Sequence, residues 1–362
     1  MLFLQSRRNL IVIALLGSVL GSMGQGLTLP RAPSPGATVS QRIGISDVTV
    51  TYSRPAVKNR EVWGALVPYG WNVQGFGSGT SAPWRAGANE NTLISFSHNA
   101  LLAGKKVPAG TYGLFYVVNK DNSAELILSR DTKSWGSFFY AEKNDVVRAN
   151  LQAETGAFTE LLTYEFSGLT KNSADFVLRW EKKAFPVKVE FDVDEIVVAN
   201  MTEELKGPAG FNWQGFATAA NYAVQNKTHY NDALTWIDRA IAQNKSFGTL
   251  SIKAALLRET GKAAEGAALM KDAVAGATEN ELNAYGYQLL AAGDLAGAVE
   301  MLQINTKRFP NSANAWDSLG EAYFTKGDKK NALTTFKKSL EMNPPANVKA
   351  NTEKYLKQLG EL

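Results

Sequence analysis

Basic and aromatic residues gather in two stretches of the N-terminal half, and their side-chain types could bind an anionic ligand. The basic members are Arg54, Lys58, Arg60 and Arg85, and near them in sequence stand Trp63, Trp84, Asn89 and Glu90. Guanidinium groups grip carboxylates or phosphates through a planar fork, and indole faces stack on rings or sugars. The same residues could instead stabilise the fold, with Arg85 paired to Glu90 and the tryptophans packed in a core.

Support for catalysis is weaker than support for binding. Glu90 could join Asp131 or Asp145 as the carboxylate pair of a glycoside hydrolase, which requires the two groups about 5–10 Å apart. The chain contains no nucleophile-elbow, zinc-protease, phosphate-loop or dinucleotide-binding motif. We therefore expect no catalytic residue, and a carbohydrate-active or other hydrolase that uses the Arg85 and Glu90 region is the alternative.

The amino-acid counts restrict both the chemistry and the partners. The chain has no cysteine and two histidines, which excludes thiol chemistry, disulfides and histidine-rich metal sites, and we expect no metal and no cofactor. The net charge is +4 at pH 7, and removal of a leader that contains Arg7 and Arg8 but no acid would leave +2. A charge so close to neutral does not indicate nucleic acid or an anionic membrane as a partner.

The first 24 residues have the features of a cleaved signal peptide. Arg7 and Arg8 precede a short apolar core at Leu10–Leu20, and a small-residue segment ends at Gly24, where we expect cleavage. The apolar core is shorter than the roughly 20 residues of a spanning helix, although an uncleaved anchor is the alternative. We therefore predict a periplasmic or secreted bacterial protein without stable membrane insertion after cleavage.

Residues 41–198 carry the pattern of a β-rich domain. Segments rich in β-branched and aromatic residues recur between turn residues, among them Val48–Tyr52, Thr92–Ser97 and Thr111–Asn119. Val187–Asp194 alternates apolar and polar residues with the period of two that is typical of a strand. Many short strands separated by turns favour a mainly antiparallel β sandwich or barrel-like domain.

A helical repeat dominates the C-terminal half. The tetratricopeptide pattern is clearest at Trp316, Leu319, Gly320, Tyr323, Gly327, Ala332, Phe336 and Pro344, and 34 residues earlier stand Leu282, Tyr285, Gly286, Leu289, Gly293, Ala298, Leu302 and Pro310. In such hairpins the small residues let two helices approach closely, and the prolines end the second helix. We therefore predict an all-α array of tetratricopeptide-like helical hairpins.

These patterns predict a two-domain organisation. The expected segments are a signal peptide at 1–24, a flexible lead-in at 25–40, the β-rich domain at 41–198, a linker at 199–210, hairpin repeats at 211–345 with the clearest at 281–312 and 313–346, and a capping helix at 346–362. A polar terminal helix is what helical arrays require for solubility.

The inner helices of such an array usually line a concave groove that binds extended peptides. By repeat position, the groove residues are Asn283, Tyr287, Asn314, Asp317, Glu321 and Phe324. This set is acidic and apolar and lacks the lysines and arginines that would clamp a terminal carboxylate. The pattern predicts basic or apolar peptide segments as partners, and the alternative is an array that packs only against the β domain.

A distinctive series of motifs lies within residues 40–195. In order they are Arg54-Pro55 with Lys58 and Arg60, Trp63-Gly64 with Pro68-Tyr69-Gly70, Trp84-Arg85 with Asn89-Glu90, Gly104-Lys105 with Pro108-Ala109-Gly110, and Trp135-Gly136. In type and order they resemble the bacterial exported family called domain of unknown function 2911. The resemblance implies a fold and a location but no reaction. One departure is the Gly- and Ser-rich insertion Trp71–Pro83, which is either part of a binding edge or slack on the surface.

Together these features predict an exported, non-enzymatic interaction protein. Its β domain would bind a small molecule, a glycan or another envelope component, and its helical repeats would bind a protein or peptide. The alternatives are the hydrolase described above and a purely structural two-domain module.

Overall fold

A computed structural model describes residues 33–361, and they divide into two compact units. The β unit ends at residue 189, and the helical unit begins at residue 190 and includes two short segments, 42–46 and 170–173. The predicted signal peptide and the first part of the lead-in lie outside the described residues. Within residues 33–361, no helix has both the length and the apolar character needed to cross a membrane.

The β unit consists mainly of strands, as the alternating sequence pattern predicts, and the last two of them are long. The strands are β1 (Gly36–Ile43), β2 (Ser46–Ser53), β3 (Asn72–Val73), β4 (Ser81–Ala82), β5 (Thr92–Phe96), β6 (Ala100–Leu102), β7 (Lys105–Val107), β8 (Gly110–Val118), β9 (Ser123–Ser129), β10 (Asp145–Gln152), β11 (Glu154–Ser167) and β12 (Ser173–Glu190). The larger sheet has six strands in the order β1-β2-β5-β8-β9-β10, and the smaller has the order β11-β12-β6-β7. Neighbouring strands from β2 to β10 run antiparallel.

Aromatic side chains from the two sheets meet in a shared core. Tyr52 of β2 packs edge-on against Tyr164 of β11 with ring centres 4.7 Å apart, and Tyr116 of β8 lies 5.6 Å from Phe185 of β12. Large buried rings dominate the energetics of such cores, so these pairs hold the sheets face to face. The predicted antiparallel sandwich is confirmed, and both sheets are open rather than closed into a barrel.

The lead-in predicted to be flexible as far as residue 40 is already a strand from Gly36 onward. The Thr38 hydroxyl lies 3.2 Å from that of Thr51, and the Ser40 hydroxyl lies 2.8 Å from that of Thr49. These cross-strand pairs on one face of β1 and β2 stabilise the added strand. The prediction of a flexible segment at 36–40 was therefore wrong.

The strand predicted to run through Asp194 ends at Glu190, and a helix follows it. The Asp192 carboxylate accepts a hydrogen bond from the backbone amide of Glu195 at 3.3 Å, at the start of α1 (Val193–Glu204). This cap satisfies an amide that has no partner within the first helical turn. The residues that alternate like a strand therefore begin a helix, and the linker predicted at 199–210 starts inside it.

Hairpins of two helices follow α1. The helices are α2 (Trp213–Asn226), α3 (Tyr230–Gln243), α4 (Phe247–Glu259), α5 (Ala263–Gly276), α6 (Glu279–Ala291), α7 (Leu295–Arg308), α8 (Ala313–Lys326), α9 (Lys329–Glu341) and α10 (Ala346–Leu359). Within α8, a Cβ at Gly320 would lie 2.6 Å from the Phe336 ring of α9, and one at Gly286 of α6 would lie 2.6 Å from Leu302 of α7. This close approach confirms the tetratricopeptide-type hairpins.

Candidate ligand cavity and peptide groove

Trp84 follows strand β4 and is held against the central strand β8. Its backbone amide donates to the Tyr116 carbonyl at 2.8 Å, and the Tyr116 amide donates back at 2.9 Å. The Trp84 ring then stacks on Trp180 at 6.0 Å and meets the edge of Trp63 at 5.9 Å. Trp63 is a buried core residue, whereas Trp84 is half-buried and also lines a cavity.

The Arg85 guanidinium lies half-buried beside the same cavity. Its Nη1 donates to the carbonyl of Asn89 at 2.8 Å, and its Cζ lies 5.3 Å from the centre of the Phe138 ring. Gly136 allows this packing, because a Cβ there would lie 2.4 Å from the Arg85 Cζ. Burial lowers the pKa of Arg85, since a charged group loses hydration when it leaves water.

The cavity has a volume of about 390 Å³, which falls within the range of small-molecule sites. Its polar wall comes from Asn72, Gln74, Arg85, Asn89 and Ser137, and its apolar wall from Leu66, Pro68, Ala82, Pro83 and Trp84. None of the lining residues is acidic, and Arg85 is the one charged residue among them. The wall can therefore donate hydrogen bonds to a ligand beside a positive charge.

The insertion Trp71–Pro83 supplies one side of the cavity. It contains the β3–β4 hairpin, and it contributes Asn72 and Gln74 to the lining. Its first residue is anchored, because the Trp71 ring lies 5.2 Å from the Arg148 guanidinium and 5.7 Å from the Tyr140 ring. This arrangement favours the interpretation of the insertion as part of a binding edge.

Three other basic residues predicted for the site do not line the cavity. Arg54 donates to the Leu162 carbonyl at 2.9 Å, which ties the start of this segment to β11. Arg60 donates to carbonyls of its own loop, and the backbone amide of Lys58 donates to Glu160 at 2.9 Å. The structure therefore separates these three from Arg85 and uses them to hold the loop.

The carboxylates considered for hydrolysis do not line the cavity either. Glu90 is exposed, and the Asn144 amide donates to both oxygens of Asp131 at 2.9 and 3.0 Å. Asp145 accepts hydrogen bonds from the Tyr140 hydroxyl at 2.6 Å and from Arg148 at 2.8 Å. Among residues 33–361, no group of three or more His, Asp or Glu is arranged to hold a metal ion.

In the helical unit, most of the residues predicted for the groove contact residues of a neighbouring repeat or of α10. The Tyr287 hydroxyl donates to Glu321 at 3.1 Å, and the Asn351 amide donates to Asp317 at 2.7 Å. Thr352 donates to the other oxygen of Asp317. We call these five residues the polar ladder, which joins α6, α8 and α10.

The ladder buries Asp317, one of the two acidic residues predicted for the groove, whereas Glu321 stays partly exposed. Asp317 is 4% exposed, and burial, together with the nearby Glu321, raises its pKa. Phe324 packs at 5.0 Å against Tyr355 of α10, and the Asn314 amide donates to Glu279 at 3.4 Å. The remaining member of the predicted set, Asn283, has a buried side-chain oxygen without a protein partner. The prediction that this set forms an open groove was therefore wrong for Asp317.

An open groove lies instead between the first helices of the first three hairpins, α2, α4 and α6. Its volume is about 510 Å³. We call it the amide groove after its polar members Gln214, Asn221 and Gln288, which accompany the aromatic residues Trp213, Phe247 and Tyr285. Phe247 and Tyr285 pack edge to face at 5.5 Å and join α4 to α6. Thr218 is an exposed lining residue, and Glu281 is the one charged lining residue.

Sequence reasoning missed the amide groove because the upstream hairpins are degenerate. Counted from each N-cap, Asn221 in α2 occupies the ninth position, as do Tyr287 in α6 and Glu321 in α8. Aligning the helices by their N-caps would therefore have identified Asn221 as a residue that faces the groove. The spacing of 34 residues fails between α4 and α6, since the caps Ser246 and Thr278 stand 32 apart.

Comparison with curated proteins finds similarity over short segments. Superkiller complex protein 3 of Mus musculus is 39% identical over 77 residues, which are 21% of this chain and 5% of that protein. The Homo sapiens protein of the same name is 42% identical over 59 residues, 16% of this chain and 4% of that protein. The chain thus spans no more than 5% of the length of these relatives.

Solved structures and a family model give the remaining similarities. The crystal structure of YrrB, a TPR protein with an unusual peptide-binding site, is 18% identical with a TM-score of 0.27, over 44% of this chain and 83% of that one. Residues 34–189 match the family described as "Protein of unknown function (DUF2911)". Residues 34–189 are therefore similar to the DUF2911 family, and in the structure helical hairpins of the tetratricopeptide type follow them.

Proposed function

We propose that this chain is an interaction protein whose helical unit holds an extended peptide segment in the amide groove. The observation that carries the proposal is the open space of about 510 Å³ between α2, α4 and α6. Further along the array, the polar ladder includes three of the residues predicted to face a ligand, Tyr287, Asp317 and Glu321. Peptide binding is therefore assigned to the first three hairpins.

The groove chemistry suits a peptide backbone with apolar side chains. The amides of Gln214, Asn221 and Gln288 can each donate and accept a hydrogen bond, as a peptide group requires. Three aromatic residues supply apolar contact area beside them. No lysine or arginine lines the groove, and the Glu281 carboxylate already accepts hydrogen bonds from Thr278. We therefore propose an internal, apolar or basic segment rather than a terminal carboxylate as the bound peptide.

Selection from a phage-displayed library of random linear peptides on the full chain tests this proposal. Thr218→Arg places a long cation on the exposed groove floor, and Thr235→Arg is the matched control, since Thr235 is exposed on α3 outside the lining. A selected peptide should lose at least about tenfold in affinity with Thr218→Arg and keep its affinity with the control. Equal affinities, or no enriched apolar or basic peptide, would count against the groove.

We also propose that the β unit binds a small ligand in the cavity beside Arg85. The cavity volume of about 390 Å³, the polar side chains that line it and the anchored insertion support this proposal. The hydrolase alternative has no acidic residue among those that line the cavity. A purely structural module would leave both the cavity and the amide groove without a ligand, and the two binding experiments test that alternative directly.

Export of the chain completes the proposal. Arg7, Arg8 and the apolar segment Leu10–Leu20 support it, together with small residues that end at Gly24. In an envelope location, the β unit would bind an envelope component or glycan, and the groove would hold a protein partner.

A further inference from the structure

The cavity of the β unit holds a positive charge that the fold leaves without an acidic partner. Arg85 donates to a neutral carbonyl, that of Asn89, and lies over the Phe138 ring. Within residues 33–361, no ion pair joins it to a carboxylate, and burial lowers its pKa. A half-buried cation without a counter-charge is less stable than one that is paired, so an anion that enters the cavity would regain that energy.

Neutral hydrogen-bond donors line the same cavity as Arg85. The side-chain amides of Asn72 and Gln74 and the hydroxyl of Ser137 line the cavity. In the part of the chain that the structure describes, none of these three groups makes a hydrogen bond to protein. Their donors therefore remain available to the oxygens of a ligand.

The apolar part of the cavity wall indicates that the ligand also has an apolar part. Trp84, Leu66 and Pro68 give the cavity an apolar lining, and its volume of about 390 Å³ exceeds the volume that a bare ion would fill. A ring or short apolar group can occupy such space while its charged end reaches the guanidinium. The insertion residues Asn72 and Gln74 then contact the charged end from the β3–β4 hairpin.

We infer that the cavity binds a small organic oxyanion, either a carboxylate or a phosphate ester, whose charge pairs with Arg85 and whose ring or apolar body lies along Trp84. The guanidinium uses one N–H of Nη1 for Asn89, which leaves Nε and Nη2 for the two-pronged contact that carboxylates and phosphates share. This inference rests on the proposal that the cavity binds a small ligand, and it adds that the ligand is negatively charged.

Ligand-observed NMR titration of the full chain with three simple probes tests the inference. Benzoate carries a carboxylate, phenyl phosphate carries a phosphate, and benzamide is the neutral counterpart of benzoate. We expect benzoate, phenyl phosphate or both to bind at least about tenfold more tightly than benzamide, the difference expected from a charge-assisted contact. A preference for one of the two anions identifies the ligand class.

Two variants locate the bound anion. Arg85→Gln should weaken anion binding at least about tenfold, whereas Arg130→Gln, at an exposed arginine of the same unit, should leave it unchanged. Gln74→Glu leaves the half-buried Arg85 in place and adds a repelling charge to the cavity wall, so it should weaken anion binding too. It tests the inference even if Arg85→Gln does not fold. Gln152→Glu, at an exposed strand end, is its matched control.

The possible results distinguish a failure of this inference from a failure of the proposal that the cavity binds a small ligand. Equal binding of benzamide and the anions would overturn the inference and leave a neutral-ligand cavity. Anion binding that survives both Arg85→Gln and Gln74→Glu would overturn it as well. Binding of none of the three probes would overturn the inference together with the small-ligand proposal.

Discussion

Asp317 was predicted to bind a peptide, but in the structure it makes hydrogen bonds that stabilise the fold. Its carboxylate accepts hydrogen bonds from Asn351 and Thr352 of α10, and Glu321 lies nearby with a bond from Tyr287. Burial raises the pKa of Asp317, and the charge of Glu321 raises it further. Reversing this charge would break the polar ladder, so a charge-reversal variant at Asp317 would report on stability rather than on peptide binding.

The raised pKa predicts the pH dependence of stability. Because folded Asp317 holds its proton more tightly than the unfolded chain does, its contribution is fully present below the ordinary Asp pKa of about 3.9 and is lost as pH rises through the folded pKa. In urea titrations, the free energy of unfolding of the wild type should therefore fall relative to that of Asp317→Asn as the pH rises above about 3.9.

Asp328→Asn is the control with the opposite sign. Hydrogen bonds from the backbone and side chain of Asn331 lower the pKa of Asp328. Its contribution is therefore present above the ordinary pKa and is lost as pH falls through the folded pKa. The difference in the free energy of unfolding between the wild type and each variant should change with pH in opposite directions for Asp317→Asn and Asp328→Asn. Changes in the same direction would show that the pKa of Asp317 is not raised by burial.

At the scale of elements, small residues decide how closely the helices of each hairpin pack. Gly320 of α8 lies against the Phe336 ring of α9, and Gly286 of α6 lies against Leu302 of α7. Both contacts are inside the buried layer of a hairpin, where neighbouring side chains cannot move into solvent. Gly276 at the end of α5 has open space around the position of a Cβ.

Two alanine substitutions test this packing. Gly320→Ala should lower the free energy of unfolding by about 1–3 kcal/mol, because its Cβ would lie 2.6 Å from the Phe336 ring. Gly276→Ala should be neutral or raise it by up to about 1 kcal/mol, since alanine restricts the unfolded chain and favours the helix. Chemical denaturation of both variants gives the comparison, and an equal effect would contradict close packing as the cause.

At the scale of the whole molecule, each unit carries its own candidate site. The cavity beside Arg85 lies within the β unit, and the amide groove lies within the helical unit. Each site consists of residues from one compact unit, so a substitution in that unit can prevent ligand binding at its site. Because the chain has no cysteine, apolar cores rather than disulfides must keep both units folded.

Export predicts a shortened mature chain. Expression with residues 1–24 in a Gram-negative host should yield an envelope protein whose intact mass corresponds to a start at Gln25, because a signal peptidase cleaves after small residues. A chain that lacks residues 1–24 should stay in the cytoplasm. Envelope protein that retains the mass of residues 1–362 would instead support an uncleaved anchor.

Periodicity determined much of the fold from sequence alone. The 34-residue repeat around Gly286 and Gly320 predicts hairpins because close helix contacts demand small residues at fixed positions. Alternation likewise predicted an antiparallel sandwich. The local pattern could not reveal the helix cap at Asp192, because alternating apolar and polar residues fit a strand equally well. The helix is favoured only because the Asp192 side chain accepts a hydrogen bond from a backbone amide of the first helical turn.

The sites depended on contacts between distant residues, which only the tertiary structure decided. Sequence placed Arg54 and Arg85 in one candidate set, but Arg54 bonds to a carbonyl of β11 while Arg85 lines the cavity. Sequence also identified Asp317 as a groove residue, and its partner Asn351 stands 34 residues away in α10. Side-chain type determines which bonds a residue can make, and the packing of elements far apart in the chain determines which of those bonds are left for a ligand.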